Sequence, residues 1–237
     1  MESVLKTHGL TKLYGGHQAV SNVSMNVQQG DIYGFIGRNG AGKTTLIRMV
    51  VGLAAPSTGS LELFGSTNLS EGRKRIGTVI ESPAVYPHMT ARQNLEVQCR
   101  MMGIQDKRVI NDTLITVGLD PQDKKKAKNF SLGMKQRLAI AIALIGSPEF
   151  LCLDEPINGL DPTGIIEIRE LIQRLNQDHG ITVLISSHIL GELSKLATRF
   201  GVIENGVLIQ EFTSEELWNK GEDLEKYFVS IMKGVQA

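Results

Sequence analysis

Apolar and polar residues interleave along the first part of the chain. Val20, Val23, Met25 and Val27 stand against Ser21, Asn22, Ser24 and Asn26, and this pattern predicts strands over residues 3–36. The last of them, 31–36, is apolar and runs into a glycine-rich loop, and a helix is predicted directly after it at 44–51. Short strands follow at 61–65 and 76–80. From 90 to about 118 the period becomes helical: Leu95, Cys99 and Met102 recur at three to four residues, as do Val109, Ile110, Leu114 and Val117. A polar, lysine-rich connector fills 120–129. Residues 132–145 are apolar almost all round, which predicts a largely buried helix. The runs 150–153 and 181–185 are short and continuously apolar, as central parallel strands are. Helices are expected at 162–178, with Pro162 in the first turn, and near 190–197. A hairpin of 200–204 and 207–212 should turn on Asn205-Gly206, and the N-cap stretch Thr213-Ser214-Glu215-Glu216 opens a final helix.

The order is a β-rich start, a glycine loop, a βα core, an all-helical insert at about 90–147, and βα again. This predicts one α/β domain over 1–237, with a C-terminal helix and tail at about 214–237. No internal repeat, low-complexity tract or interdomain linker interrupts it.

Composition narrows the class. Lys and Arg number 25 and Asp and Glu 25, so the net charge is zero, which argues against a broad nucleic-acid or anionic-membrane surface. The apolar share of 41% is too high for a disordered chain. The best apolar run, 138–145, is far short of the ~20 residues of a membrane helix. The N-terminus has neither the basic start nor the apolar core of a secretory signal. Cys99 and Cys152 have neither CxxC spacing nor a histidine cluster, so they read as small apolar residues of a reducing compartment. A cytoplasmic chain is expected. The oddity is 25 glycines against 7 prolines.

Some of those glycines carry chemistry. Gly37-Arg38-Asn39-Gly40-Ala41-Gly42-Lys43-Thr44 fits GxxxxGK[ST] between an apolar strand and a helix, and Thr45 follows in the helix's first turn. Glycines let backbone N–H groups curl around phosphate oxygens, and the helix N-terminus adds unpaired donors and a positive dipole end. Lys43 is expected on the β- and γ-phosphates and the Thr44 hydroxyl on Mg²⁺. Further on, Asp154 and Glu155 end a buried strand, where ligands bind in open α/β sheets. Asp154 suits a magnesium contact and Glu155, on the opposite side of the strand, a general base for water. An acidic loop after a strand is the plainer reading of this pair taken alone. Together with the phosphate loop it points to a nucleotide hydrolase or kinase.

Ahead of the buried helix stands Phe130-Ser131-Leu132-Gly133-Met134-Lys135-Gln136-Arg137. This resembles the signature motif of ABC-transporter ATPases, usually LSGGQ. Ser131 and Gly133 fit the family's serine and second glycine, while Phe130, Leu132 and Met134 replace the leucine, first glycine and glutamine. A plain helix N-cap explains the same residues. Other elements fall in the family's order. Pro156 follows the glutamate, Asn158-Gly159-Leu160-Asp161 resembles the D-loop, and Ser186-Ser187-His188 resembles the switch histidine. Tyr14 matches the aromatic that stacks on adenine, though Tyr33 is a second aromatic nearby.

The resemblance covers about 3–217 and implies a P-loop NTPase fold of the ABC ATPase type. Its parts are a RecA-like parallel-sheet core, an N-terminal antiparallel β subdomain and an inserted helical subdomain. It implies ATP and Mg²⁺ as cofactors, with Lys43, Glu155 and His188 catalytic and Thr44, Glu81 and Asp154 toward the metal. It implies that residues 37–45, Tyr14, Ser131, Gly133 and Asp161 bind nucleotide. In the family, the signature closes on the γ-phosphate bound by a second ATPase subunit, identical or not. Glu81 stands where the family has glutamine. With Pro83-Ala84-Val85-Tyr86-Pro87 it resembles the ATPase subunits of bacterial exporters for bacitracin and lantibiotics, unless it is a neutral variant. With no membrane span of its own, such a subunit requires a separate permease and is peripheral on the cytoplasmic face of the membrane. No nucleic-acid partner is expected. The alternatives are a soluble ABC-type ATPase acting on DNA or ribosomes, which usually carries a long coiled coil or a second ATPase unit, and a P-loop kinase. Lys124–Lys126 with Lys128 read as a solvated connector.

Overall fold

The computed structural model describes residues 2–81 and 84–236. The chain opens with β1 (Ser3–Tyr14), β2 (His17–Val23), β3 (Asn26–Gln28) and β4 (Ile32–Ile36). Helix α1 (Lys43–Val51) and strand β5 (Thr58–Leu63) follow. In one sheet β1 pairs antiparallel with β2, β3 and β5. The second sheet adds β6 (Ile76–Val79), β7 (Phe150–Asp154), β8 (Thr182–Ser187), β9 (Arg199–Glu204) and β10 (Val207–Thr213), in the order β10-β9-β4-β8-β7-β6. Its pairings are parallel except β9 with β10. That last hairpin turns on Asn205 and Gly206, both at positive φ, as a two-residue turn between twisted strands requires.

Every residue of β4, β7 and β8 is buried, which explains why these strands read as unbroken apolar runs: both sheet faces are covered. The register sets Ile36 beside Ser187 and Asp154 beside Ser186. The C-terminal ends of β4, β7 and β8 therefore meet at one edge, and the three segments carrying candidate chemistry leave the sheet there.

The helical insert holds α3 (Ala91–Met101), α4 (Arg108–Thr116) and α5 (Leu132–Leu144); it is preceded by a five-residue helix, α2 (Leu69–Arg73), that periodicity is too short to show. Thr90 and Gln93 form a capping box on α3. The helical period over 90–118 proves to be two helices, because the chain turns left-handed at Gly103 (φ 71°). Ser131 caps α5, whose second half is buried while Leu132 at its start is exposed.

Helix α6 (Pro162–Gln177) begins with Asp161 as cap and proline in its first turn. The helix expected near 190–197 is only α7 (Leu190–Leu193). The single final helix expected after Thr213 is two, α8 (Ser214–Asn219) and α9 (Leu224–Gln236), separated by Gly221 at φ 68°. α9 lies on the core through Tyr227, whose ring meets Phe212 edge-on at 4.8 Å; Phe212 in turn stacks on Phe200 at 5.1 Å. Cys99 and Cys152 are buried and free, and burial pushes the Cys152 thiol far up. No helix among the described residues is long and apolar enough to cross a membrane.

Candidate nucleotide site

Residues 37–42 carry the chain from β4 into α1. Gly40 and Gly42 are at φ 83° and 109°, in the region that glycine enters without strain. The three motif glycines answer different needs. A Cβ on Gly37 would stand 2.6 Å from the Ile203 carbonyl oxygen, and one on Gly42 would stand 2.5 Å from that of Ala19. Close packing against β9 and β2 therefore demands both. Around Gly40 a Cβ would meet nothing within 4 Å, so here the backbone turn is the constraint. Arg38, Asn39 and Gly40 form an exposed lip, whereas Ala41 is buried and its carbonyl accepts from Gly206 N at 2.9 Å.

Helix α1 starts at Lys43 with no side-chain cap, so its first N–H groups are left for an anion. Lys43 is buried, and its Nζ donates to the carbonyls of Gly37 at 2.7 Å and Arg38 at 3.2 Å. The same Nζ lies 3.1 Å from Glu155 Oε1. Thr44 Oγ1 donates to Asp154 Oδ2 at 2.6 Å, and Thr45 stands beside it in the first turn. His188 Nδ1 lies 2.8 Å from Glu155 Oε2.

Strand alternation sends Glu155 to the face opposite Asp154. The structure corrects this: Glu155 follows the end of β7 at φ 50°, and that turn brings its carboxylate to Lys43, next to the Thr44–Asp154 pair. Sequence reasoning missed Ser186. Its hydroxyl donates to Asp154 Oδ1 at 2.5 Å and accepts from Glu155 N at 3.0 Å, so one buried serine ties the Asp154 carboxylate to the Glu155 backbone. The Ser-Ser-His triplet held the clue, in a polar residue ending an apolar strand.

Of the two aromatics, Tyr14 is half exposed, with Lys12 Nζ 4.9 Å from its ring centroid. Tyr33 is fully buried and donates to Glu211 Oε1 at 2.7 Å; burial and that carboxylate push its phenol well up. It has no face left for a base. Glu81, two residues past the end of β6, is exposed and pairs with Arg48 of α1, four residues beyond Thr44. Sequence reading did not single out Arg48. Ser82 and Pro83 of the same loop lie outside the described residues.

Ser131 and Asp161 both act as caps: Ser131 Oγ accepts from Met134 N at 3.2 Å and Asp161 Oδ1 from Gly164 N at 3.0 Å. The structure does not bring Ser131, Gly133 or Asp161 into hydrogen-bond contact with the Lys43–Glu155 group.

A hydroxyl and a carboxylate 2.6 Å apart are hard oxygen donors, the chemistry Mg²⁺ takes. The described residues hold no group of three or more His, Cys, Asp or Glu set to bind a metal. The fit is therefore to an ion that completes its shell with phosphate and water.

Residues 20–158 match the family model described as ABC transporter. The bacitracin transport ATP-binding protein BcrA of Bacillus licheniformis is 49% identical over 220 residues, which cover 92% of this chain and 72% of that protein. The lantibiotic transport ATP-binding protein SrtF of Streptococcus pyogenes is 42% identical, covering 95% of this chain and 96% of that protein. Among solved structures, a part of the cbiONQ ABC transporter complex from Clostridium perfringens superposes with a TM-score of 0.83 at 26% identity, over 95% of this chain and 94% of that one.

Proposed function

This chain belongs to the ABC transporter family, and we propose that it is the ATP-hydrolysing subunit of an exporter for peptide antibiotics. The observation that carries the chemistry is the run Lys43–Glu155–His188 beside Thr44–Asp154, five side chains from three segments gathered at one sheet edge.

ATP is the substrate. The free N–H groups of α1 and the Lys43 ammonium receive its phosphates. Mg²⁺, when bound, neutralises charge on the β- and γ-phosphates, and Thr44 and Asp154 would hold it. Ser186 fixes the Asp154 carboxylate in the rotamer that faces Thr44. Glu155 takes a proton from the attacking water as its oxygen bonds to the γ-phosphorus and the bond to ADP breaks. His188, 2.8 Å away, steadies that carboxylate and the water. Tyr14 offers its exposed ring to the adenine.

Ser131, Gly133 and Asp161 serve the nucleotide of a second ATPase subunit. Glu81, if released from Arg48, would offer the metal a further carboxylate oxygen. The loop at 81–87 and the helical insert would meet a separate permease, which holds the subunit against the cytoplasmic face of the membrane. The cargo assignment rests on the relatives named for bacitracin and lantibiotic transport, together with Glu81 in place of glutamine. It is tested by deleting the gene and measuring resistance to a panel of bacitracin and lantibiotics. Sensitivity should rise, and restoring the chain should reverse it while Lys43→Ala should not. Unchanged resistance across the panel removes this cargo.

A further inference from the structure

Trp218 is the only tryptophan of the chain, and at 87% exposure it is the most exposed large apolar side chain among the described residues. It belongs to α8 and forms a ridge between two hollows. One, of about 540 Å³, runs from Trp218 over Phe200 and Leu217 to Glu222. The other, of about 400 Å³, runs from Trp218 and Glu215 to Leu196 and Ala197. Ser194, six residues after His188, lines both.

The charge around the ridge is one-sided. Residues 214–226 carry Glu215, Glu216, Glu222, Asp223 and Glu225 against Lys220 and Lys226, in a chain whose net charge is zero. The nearby bases are engaged. Lys220 Nζ donates to the Tyr227 hydroxyl at 2.6 Å, and Lys195, which lines the second hollow together with Glu215, pairs with Glu192 at 2.9 Å. Two of the acids are also engaged, Glu216 in the α8 capping box and Asp223 with Lys226. Glu215 and Glu222 have no ion-pair or hydrogen-bond partner among the described residues, and each lines one hollow beside the indole.

We propose that this ridge docks a basic peptide segment of a partner protein, which sets a Lys or Arg in each hollow and lays its stem across Trp218. A cation over an indole face and a carboxylate within reach on each side is the chemistry that selects such a segment over an acidic or neutral one. The contact reaches the chain just behind the segment that carries His188.

Because Trp218 is the sole tryptophan, its emission reports occupancy directly. The probe is a panel of 15-residue amphipathic peptides of Leu and Ala with four Lys or Arg at varied spacing, beside the same peptides carrying Glu. The proposal expects a saturable blue shift with basic members only. Glu215→Lys with Glu222→Lys should weaken binding about tenfold or more, and Glu215→Gln with Glu222→Gln less. Far-UV circular dichroism checks that both variants fold. No shift with any basic peptide overturns the proposal, as does equal binding to the charge-reversed protein. A blue shift that grows with protein concentration and no peptide also overturns it, because the occupant is then a second copy of the chain.

Discussion

The N-termini of α1 and α5, which we propose as the nucleotide cradle and the signature edge, differ in what stands opposite them. At α1 the end is uncapped, and Lys43, Asp154, Glu155 and His188 crowd around it within hydrogen-bond reach. Two of its glycines are fixed by backbone carbonyls of the same chain. At α5 the end is capped by Ser131. A Cβ on Gly133 would find only Leu160 Cδ2, at 4.0 Å, and Leu132 beside it is 44% exposed. Nothing among the described residues requires glycine at 133. The contrast is that one helix end is closed by contacts within the chain, while the other is left exposed; we propose that the second is met by a partner subunit.

That contrast is open to attack by substitution. Lys43→Ala should cut ATP turnover by about a hundredfold or more, because it removes the cation at the phosphates; a radiolabelled ATP assay reads it. Gly42→Ala should destabilise the fold by about 2–3 kcal/mol or more, from left-handed strain plus the clash with the Ala19 carbonyl, and lower the melting temperature accordingly. Gly133→Ala is the matched control. It should leave the melting temperature of the isolated chain within a degree or two yet impair turnover that depends on pairing. A large fall in stability at 133 would erase the distinction. Ser186→Ala should strip one partner from Asp154, cost about 1–3 kcal/mol, and raise the Mg²⁺ needed for half-maximal turnover. The smallest effect is expected of Leu132→Ser, within about 0.5 kcal/mol by denaturant titration.

Much of this was legible in the sequence because it rests on local pattern. The phosphate loop, the acidic pair after β7 and the Asn205-Gly206 turn are fixed by residues within a few positions of one another. The curated relatives agree with an ABC transporter ATP-binding subunit and the solved structure with the ABC ATPase fold, the family reading drawn from the signature, D-loop and switch residues. What escaped depends on meeting across the fold. Ser186 gains its role from β8 lying beside β7, and Arg48 from β6 ending near α1. Tyr33 loses its claim to the base because Glu211 is placed opposite it. Boundaries failed where a single glycine turned left-handed, at Gly103 and Gly221, since periodicity continues across such a break. The face assigned to Glu155 failed for a related reason: strand alternation stops where the strand does.

Glu155 is proposed as the base of an ATPase whose phosphate cradle is built within one chain. The direct test is Glu155→Gln, with ATP binding, single-turnover hydrolysis and light-scattering mass measured on the same preparation. The account predicts MgATP binding close to that of the unmodified protein, hydrolysis slowed by about a hundredfold to ten-thousandfold, and a nucleotide-dependent dimer. Hydrolysis at the unmodified rate would contradict it.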